Sequence, residues 1–129
     1  MKKTRFSGAL LAALATIVFL PGAASAEPDT TLSLMIQAGE QGAMSTVELK
    51  CYPNGGTHPS STNACAELTI VNGDFDRLPV MPQPGACTME FRPMLASARG
   101  FWNGEKVSWD HEFSNPCTMH AGTGSVFAF

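Results

Sequence analysis

Cationic side chains are scarce in this chain: its 129 residues carry eight Lys and Arg against eleven Asp and Glu, for a formal net charge of −3. Nucleic-acid binding needs a clustered basic footprint that displaces counterions from phosphates, so that class of function is disfavoured. A membrane anchor is disfavoured as well, because the uncharged run from Ala9 to Leu20 falls short of the ~20 apolar residues that span a bilayer. No two cysteines stand at the short spacing of paired zinc ligands. Nor is there a Gly-x-Ser-x-Gly elbow, a phosphate-cradling Gly-rich motif, an internal repeat or a low-complexity tail. Charged residues make up only 15% and hydrophobic residues 44%, which is too apolar for a disordered chain and sufficient for one core. The length suits a single domain.

At the N-terminus, Lys2, Lys3 and Arg5 precede the apolar run, and Pro21, Gly22 and the triplet Ala24, Ser25, Ala26 follow it. This is the pattern of a secretory signal peptide, here residues 1–26, with the exported form starting near Glu27 and free of the membrane. No cysteine directly follows the cleavage site, which argues against a lipid anchor. Residues 27–129 then hold five basic and eleven acidic side chains and form a small, acidic, extracellular domain. In an oxidising compartment the even set Cys51, Cys65, Cys87 and Cys117 reads as two disulfides, and the residues alone leave all three connectivities open.

Along the exported part, Leu32, Leu34 and Ile36 recur at every second position between Thr31 and Ala38, and Val47, Leu49 and Cys51 repeat the pattern after the turn-forming Gly39 to Gly42. Two antiparallel strands are predicted. Tyr52 to Asn63, rich in Pro, Gly, Ser and Thr, reads as a loop. From Ala64 to Asn72 the three-residue recurrence of Cys65, Leu68 and Val71 predicts a short helix, capped by Asn63 and ended by Gly73. Pro79, Pro82, Pro84 and Pro93 exclude a helix or central strand over 79–93. Asn103-Gly104 predicts a type I′ hairpin joining Met94–Trp102 to Glu105–Phe113, with Val107, Trp109, His111 and Phe113 on its buried face. Gly122 to Ser125 reads as a turn and Val126 to Phe129 as a terminal strand.

Chemistry-bearing residues are thinly spread. His58 lies in the loop, His111 in a strand and His120 near Cys117. His111-Glu112 starts the zinc-protease pattern His-Glu-x-x-His, but Asn115 occupies the position of the second ligand. No enzyme activity, metal or cofactor is expected. The informative stretch is Gly85 to Pro93, in which Cys87 is followed by Thr88, Met89, Glu90, Phe91, Arg92 and Pro93. One reading is a stiff extended loop that a protease could bind as it binds a substrate strand. The other is an irregular connection with Met89 packed in the core, the commoner state of a methionine, which leaves a secreted binding or structural module without inhibitory activity.

Longer stretches separate the two. Gly56-Thr57-His58-Pro59, Ala64-Cys65-Ala66-Glu67-Leu68, Gly73-Asp74 and Cys87-Thr88-Met89 are joined by Gly100-Phe101-Trp102-Asn103-Gly104, Val107-Ser108-Trp109, Phe113-Ser114-Asn115 and Ser125-Val126-Phe127-Ala128-Phe129. In this order they resemble the Streptomyces subtilisin inhibitor family of secreted serine-protease inhibitors over essentially all of residues 27–129. The resemblance implies an α+β domain with a five-stranded antiparallel sheet and two short helices. It also implies disulfides Cys51–Cys65 and Cys87–Cys117, a homodimer, and inhibition of subtilisin-like endopeptidases, while the unbranched, uncharged Met89 side chain suits a chymotrypsin-like apolar pocket as well. Carried over residue by residue, it places the specificity residue at Met89, the reactive bond at Met89-Glu90 and further loop contacts at Cys87, Thr88 and Phe91. Two positions depart from the family pattern: Thr88 stands where Pro is common, and Glu90 adds a negative charge just past the reactive bond.

Overall fold

The computed structural model describes residues 17–22, 29–79 and 85–129. The basic residues and small-residue triplet of the expected leader, Glu27, and Pro82 and Pro84 lie outside them. Strand β1 (Thr31–Ala38) is the most apolar and takes the centre of a five-stranded sheet, with Leu32, Leu34 and Ile36 buried on one face. It is flanked by β2 (Met44–Lys50) and, further along the chain, by β4 (Met94–Trp102), giving the order β3-β2-β1-β4-β5 with every pair antiparallel. The two-residue β3 (Gly55–Gly56) pairs with Leu49 and Lys50 at one edge, and β5 (Glu105–Phe113) forms the other.

Both helices lie on the face that carries the leucines. Helix α1 (Ser61–Ile70) buries Ala64, Cys65 and Leu68, one helical turn apart, and the Cys51–Cys65 disulfide ties it to the end of β2. Helix α2 (Pro116–Thr123) buries Met119 and Thr123. Small Ala96 and Ala98 on β4 are wholly buried between the flanking strands, and Val126 and Phe127 close the core from the turn after α2. Each fully buried Leu or Phe stabilises such a core by about 1.5–3 kcal/mol.

The β4–β5 hairpin has the expected turn: Asn103 and Gly104 both take positive φ, 49° and 81°, as a type I′ turn requires. Helix α1 differs from the prediction at its start. The Ala64 N–H donates to the Ser60 carbonyl at 3.0 Å, so the first turn closes three residues earlier than predicted, and the Asn63 amide donates back to Ser60 Oγ instead of capping. Part of the predicted Tyr52–Asn63 loop is therefore strand and helix. Gly73 ends the helical region as expected, its N–H donating to the Leu68 carbonyl at 2.8 Å. Its φ is +73°, and a Cβ there would stand 2.4 Å from the Trp102 ring, so only glycine fits.

The predicted terminal strand is absent, because Val126 and Phe127 find burial in a turn beneath the aromatic rings of Phe75 and Trp109 and pair with no strand. Helix α2, implied only by the family resemblance, occupies the residues before that turn. On β5, Val107, Trp109 and Phe113 are half-buried, while His111 is exposed and not on a buried face, since the helices cover the centre of the sheet more than this edge.

The opposite face of the sheet is polar and carries two ion pairs among the described residues, Lys50–Glu48 at 3.2 Å on β2 and Arg99–Asp110 across β4 and β5. Arg99 donates two bonds to the Asp110 carboxylate at 2.7 and 2.6 Å, and Ser97 Oγ donates a third at 2.8 Å. Those hydrogen bonds, Arg99 first and Ser97 second, hold the Asp110 carboxyl below its ordinary range despite a small opposing effect of burial. A carboxyl whose folded pKa is depressed stabilises the fold above its unfolded pKa and loses that contribution as pH falls towards the folded value. The prediction follows that the melting-temperature gap between the native protein and Asp110→Asn is constant near neutrality and narrows below about pH 4. A gap that widens on acidification, read by thermal melts from pH 7 to pH 2, would exclude this role.

Candidate functional site

The segment from Gly85 to Pro93 carries no regular secondary structure and yet is anchored at several points. Proline at 93 delivers it into β4, and the Arg92 N–H donates to the Ser114 carbonyl at 2.8 Å. At its other end Cys87 is bonded to Cys117 in the first turn of α2, so the loop is tied to the helix through a covalent bond.

Between these anchors sits Asn115. It is buried, 3% exposed, and both polar atoms of its side chain are hydrogen-bonded. The Oδ1 atom accepts from the Thr118 N–H at 2.9 Å and caps α2, while Thr118 Oγ1 accepts from the Asn115 N–H at 3.1 Å to complete a reciprocal capping box. Pro116 at the first helical position already has the fixed φ a helix start needs. With Oδ1 committed to the helix, the amide Nδ2 turns to the loop and donates to the Thr88 carbonyl at 3.1 Å and the Glu90 carbonyl at 2.8 Å.

One amide group thus holds two carbonyls that flank Met89. The two bonds fix the backbone on either side of Met89 against the start of α2. The Met89 side chain is fully exposed, at 100%, and Phe91 is 75% exposed, whereas Met119 is buried. The core-filler reading of Met89 is excluded by this placement. Glu90 and Arg92 lie on the same side of the extended chain and pair at 3.5 Å, both largely in solvent, a contact worth at most about 1 kcal/mol.

The remaining sequence candidates are dispersed. His58 is buried, accepting from the Ser60 N–H at Nδ1 and donating from Nε2 to the Val126 carbonyl, both at 3.0 Å, which makes it a structural tie between the β2–α1 connection and the last turn. His111 is on β5 between the rings of Trp109 and Phe113, and His120 is exposed on α2. Among the described residues no three His, Cys, Asp or Glu side chains stand close enough to hold a metal ion. In the sequence Asn115 stands where a second metal ligand is missing and within the matching stretch Phe113-Ser114-Asn115, and neither gives it a part in holding the loop. The signal that marks it is Asn-Pro followed by Thr118, a helix start, though nothing local shows that its amide reaches 25 and 27 residues back.

Comparison with known proteins agrees with this architecture. A family model described as subtilisin inhibitor-like matches residues 28–115. The protease inhibitor SIL-V5 of Streptomyces luteoverticillatus is 44% identical over 93 residues, covering 71% of this chain and 86% of its own. The subtilisin inhibitor of Streptomyces violaceus is 40% identical over 139 aligned positions, covering 96% of this chain and 95% of its own. Among solved structures, Streptomyces caespitosus sermetstatin in complex with Bacillus licheniformis subtilisin aligns with a TM-score of 0.67 at 34% identity, over 77% of this chain and 97% of sermetstatin. With the sheet order, both disulfides and the family match all in agreement, this chain belongs to the subtilisin inhibitor-like family.

Proposed function

We propose that residues 27–129, exported after loss of a leader at 1–26, inhibit subtilisin-like serine endopeptidases through a substrate-like loop whose reactive bond is Met89-Glu90. The observation that carries this is the arrangement at Asn115: a buried amide gripping the carbonyls of Thr88 and Glu90 while Met89 stands free in solvent. A relative of solved structure, sermetstatin, was crystallised bound to a subtilisin, which supports the same class of target. The chain acts as an inhibitor and not as an enzyme, in keeping with its family.

The mechanism follows from the tethers. The serine hydroxyl of a protease attacks the Met89 carbonyl, its oxygen bonds to that carbon, and the carbon–nitrogen bond to Glu90 breaks with a proton passing to the new amine. In an ordinary substrate that amine diffuses away. Here Glu90 stays bound to Asn115 through its carbonyl, and Arg92 stays bound to Ser114. On the acyl side, Thr88 is held by the same Asn115 and Cys87 by Cys117. Both halves therefore remain at one position, and re-formation of the bond competes with water as an intramolecular reaction. Ordering a flexible backbone costs about 1–2 kcal/mol per residue, so a loop already held in the bound shape avoids several kcal/mol when it docks. Met89 is unbranched and uncharged and suits an apolar primary pocket, subtilisin-like or chymotrypsin-like.

The polar sheet face offers the second contact surface, a homodimer interface. Met35 and Leu95 are half-buried there beside Ser33, Thr46 and Ser97, and no described element covers them. Isologous pairing of such faces is the commonest form of oligomer. The exported protein is expected to have the mass of residues 27–129 with both disulfides closed, and light scattering at micromolar concentration to return twice that mass. Free thiols or a single-chain mass would count against these two points respectively.

Titration of subtilisin should show stoichiometric loss of its activity, whereas a plain binding module would leave it intact. Since Met89 packs against nothing, Met89→Lys is expected to keep its melting temperature, with stability within about 0.5 kcal/mol, while inhibition moves towards trypsin-like enzymes with an acidic pocket. A folded variant with unaltered preference would place the reactive bond elsewhere. Asn115→Asp retains the helix-capping oxygen but removes both donors to the loop. Two hydrogen bonds at about 1 kcal/mol each predict an inhibition constant about 30-fold higher and faster cleavage of Met89-Glu90. If the variant resists cleavage and inhibits as the native protein does, Asn115 does not hold the loop for function.

A further inference from the structure

The exposed thioether of Met89 has a chemistry of its own. Thioethers are oxidised where a peroxide can reach the sulfur, and exposure decides which methionine reacts. Met89 is 100% exposed, Met44 on β2 is 64% exposed, Met35 and Met94 are half-buried, and Met119 is 2% exposed. Nothing in the anchoring of the loop involves the Met89 side chain: the bonds run to the carbonyls of Thr88 and Glu90, the N–H of Arg92 and the sulfur of Cys87.

We propose that Met89 is a redox modification site, at which a hydroperoxide converts the inhibitor reversibly into a non-inhibitory form without disturbing its fold. In the step, the Met89 Sδ attacks the outer oxygen of hydrogen peroxide, the O–O bond breaks, one oxygen stays on sulfur as the sulfoxide and the other leaves as water. Sulfur is oxidised by two electrons and peroxide is reduced by two. The product carries a strongly polar S=O group on the side chain that must enter an apolar pocket. There it would lose its water without gaining a hydrogen-bond partner. Because the loop is held by backbone atoms, its shape survives and only the fit to the pocket is lost. A sulfoxide reductase that returns the thioether restores inhibition. Once docked, Met89 is enclosed by the protease, so the preformed complex is resistant to the oxidant.

This inference rests on Met89 being the specificity residue, and the experiment separates the two claims. The disulfide-closed protein, alone and in preformed complex with subtilisin, is treated with hydrogen peroxide. Peptide mass mapping scores each methionine, and subtilisin titration and thermal melts accompany it. The expected result is one added oxygen at Met89 in the free protein and not in the complex, an inhibition constant raised by about 10- to 100-fold, and an unchanged melting temperature. Met44→Leu should lose inhibition on treatment as the native protein does. Met89→Leu, whatever its own starting constant, should show no change on treatment. Complete sulfoxide formation at Met89 with undiminished inhibition would overturn the proposal, as would oxidation of Met44 ahead of Met89 or loss of inhibition by treated Met89→Leu. Failure of Met89→Lys to redirect inhibition would instead reject the reactive-site reading, which the oxidation data do not touch.

Discussion

A single buried carboxamide joins the parts of this molecule that matter. Asn115 closes the first turn of α2 with its oxygen and grips the 88–90 backbone with its nitrogen, so the helix and the loop share one residue and neither can shift without loosening the other. Burying an amide is costly unless every donor and acceptor is satisfied, and here each one is. The Cys87–Cys117 bond acts in parallel, attaching the loop to the next residue but one along the same helix turn. Polar and covalent ties hold the loop because its large apolar side chains, Met89 and Phe91, face solvent and contribute no burial.

That economy depends on the rest of the domain holding α2 still. Met119 buried under the helix and the buried Val126 and Phe127 beyond it pin α2 to the sheet, and Thr123 is bonded within the helix to the Met119 carbonyl. Glu67 of α1 accepts from the N–H and hydroxyl of Ser125, and His58 bonds to Val126, so the first helix and its preceding connection clamp the final turn from the other side. The rings of Phe75, Trp109, Phe127 and Phe129 pack in sequence through this region. Rigidity built by burial in the core is thus passed to an exposed loop through one helix terminus.

Much of this was legible in the amino-acid order, and the exceptions have physical reasons. The β1 alternation and the Asn103-Gly104 hairpin are local signals, a two-residue period and an obligatory positive φ, and they place β1, β4 and β5 to the residue. The start of α1 was displaced because Ser60 and Asn63 are both acceptable cap residues and only tertiary packing of Ala64 against the sheet decides between them. Val126 to Phe129 has the composition of a strand, but a strand needs a partner edge, and these residues gain more by burial among aromatic rings. The outline of the loop was visible from Cys87 and Pro93. Its support was not, since the contacts from Asn115 to residues 88 and 90 cross the whole β4–β5 hairpin in sequence.

The grip on the loop is made through carbonyl groups, which every amino acid possesses, and this makes it indifferent to the side chains it displays. The side chains of residues 88 to 91 are exposed and take no part in the bonds from Asn115, so what the loop displays and what holds it are different atoms. Two normally opposed selective pressures, to stay folded and to follow a changing adversary, act on separate sets of atoms. The same separation makes the four exposed positions a natural place for a combinatorial library.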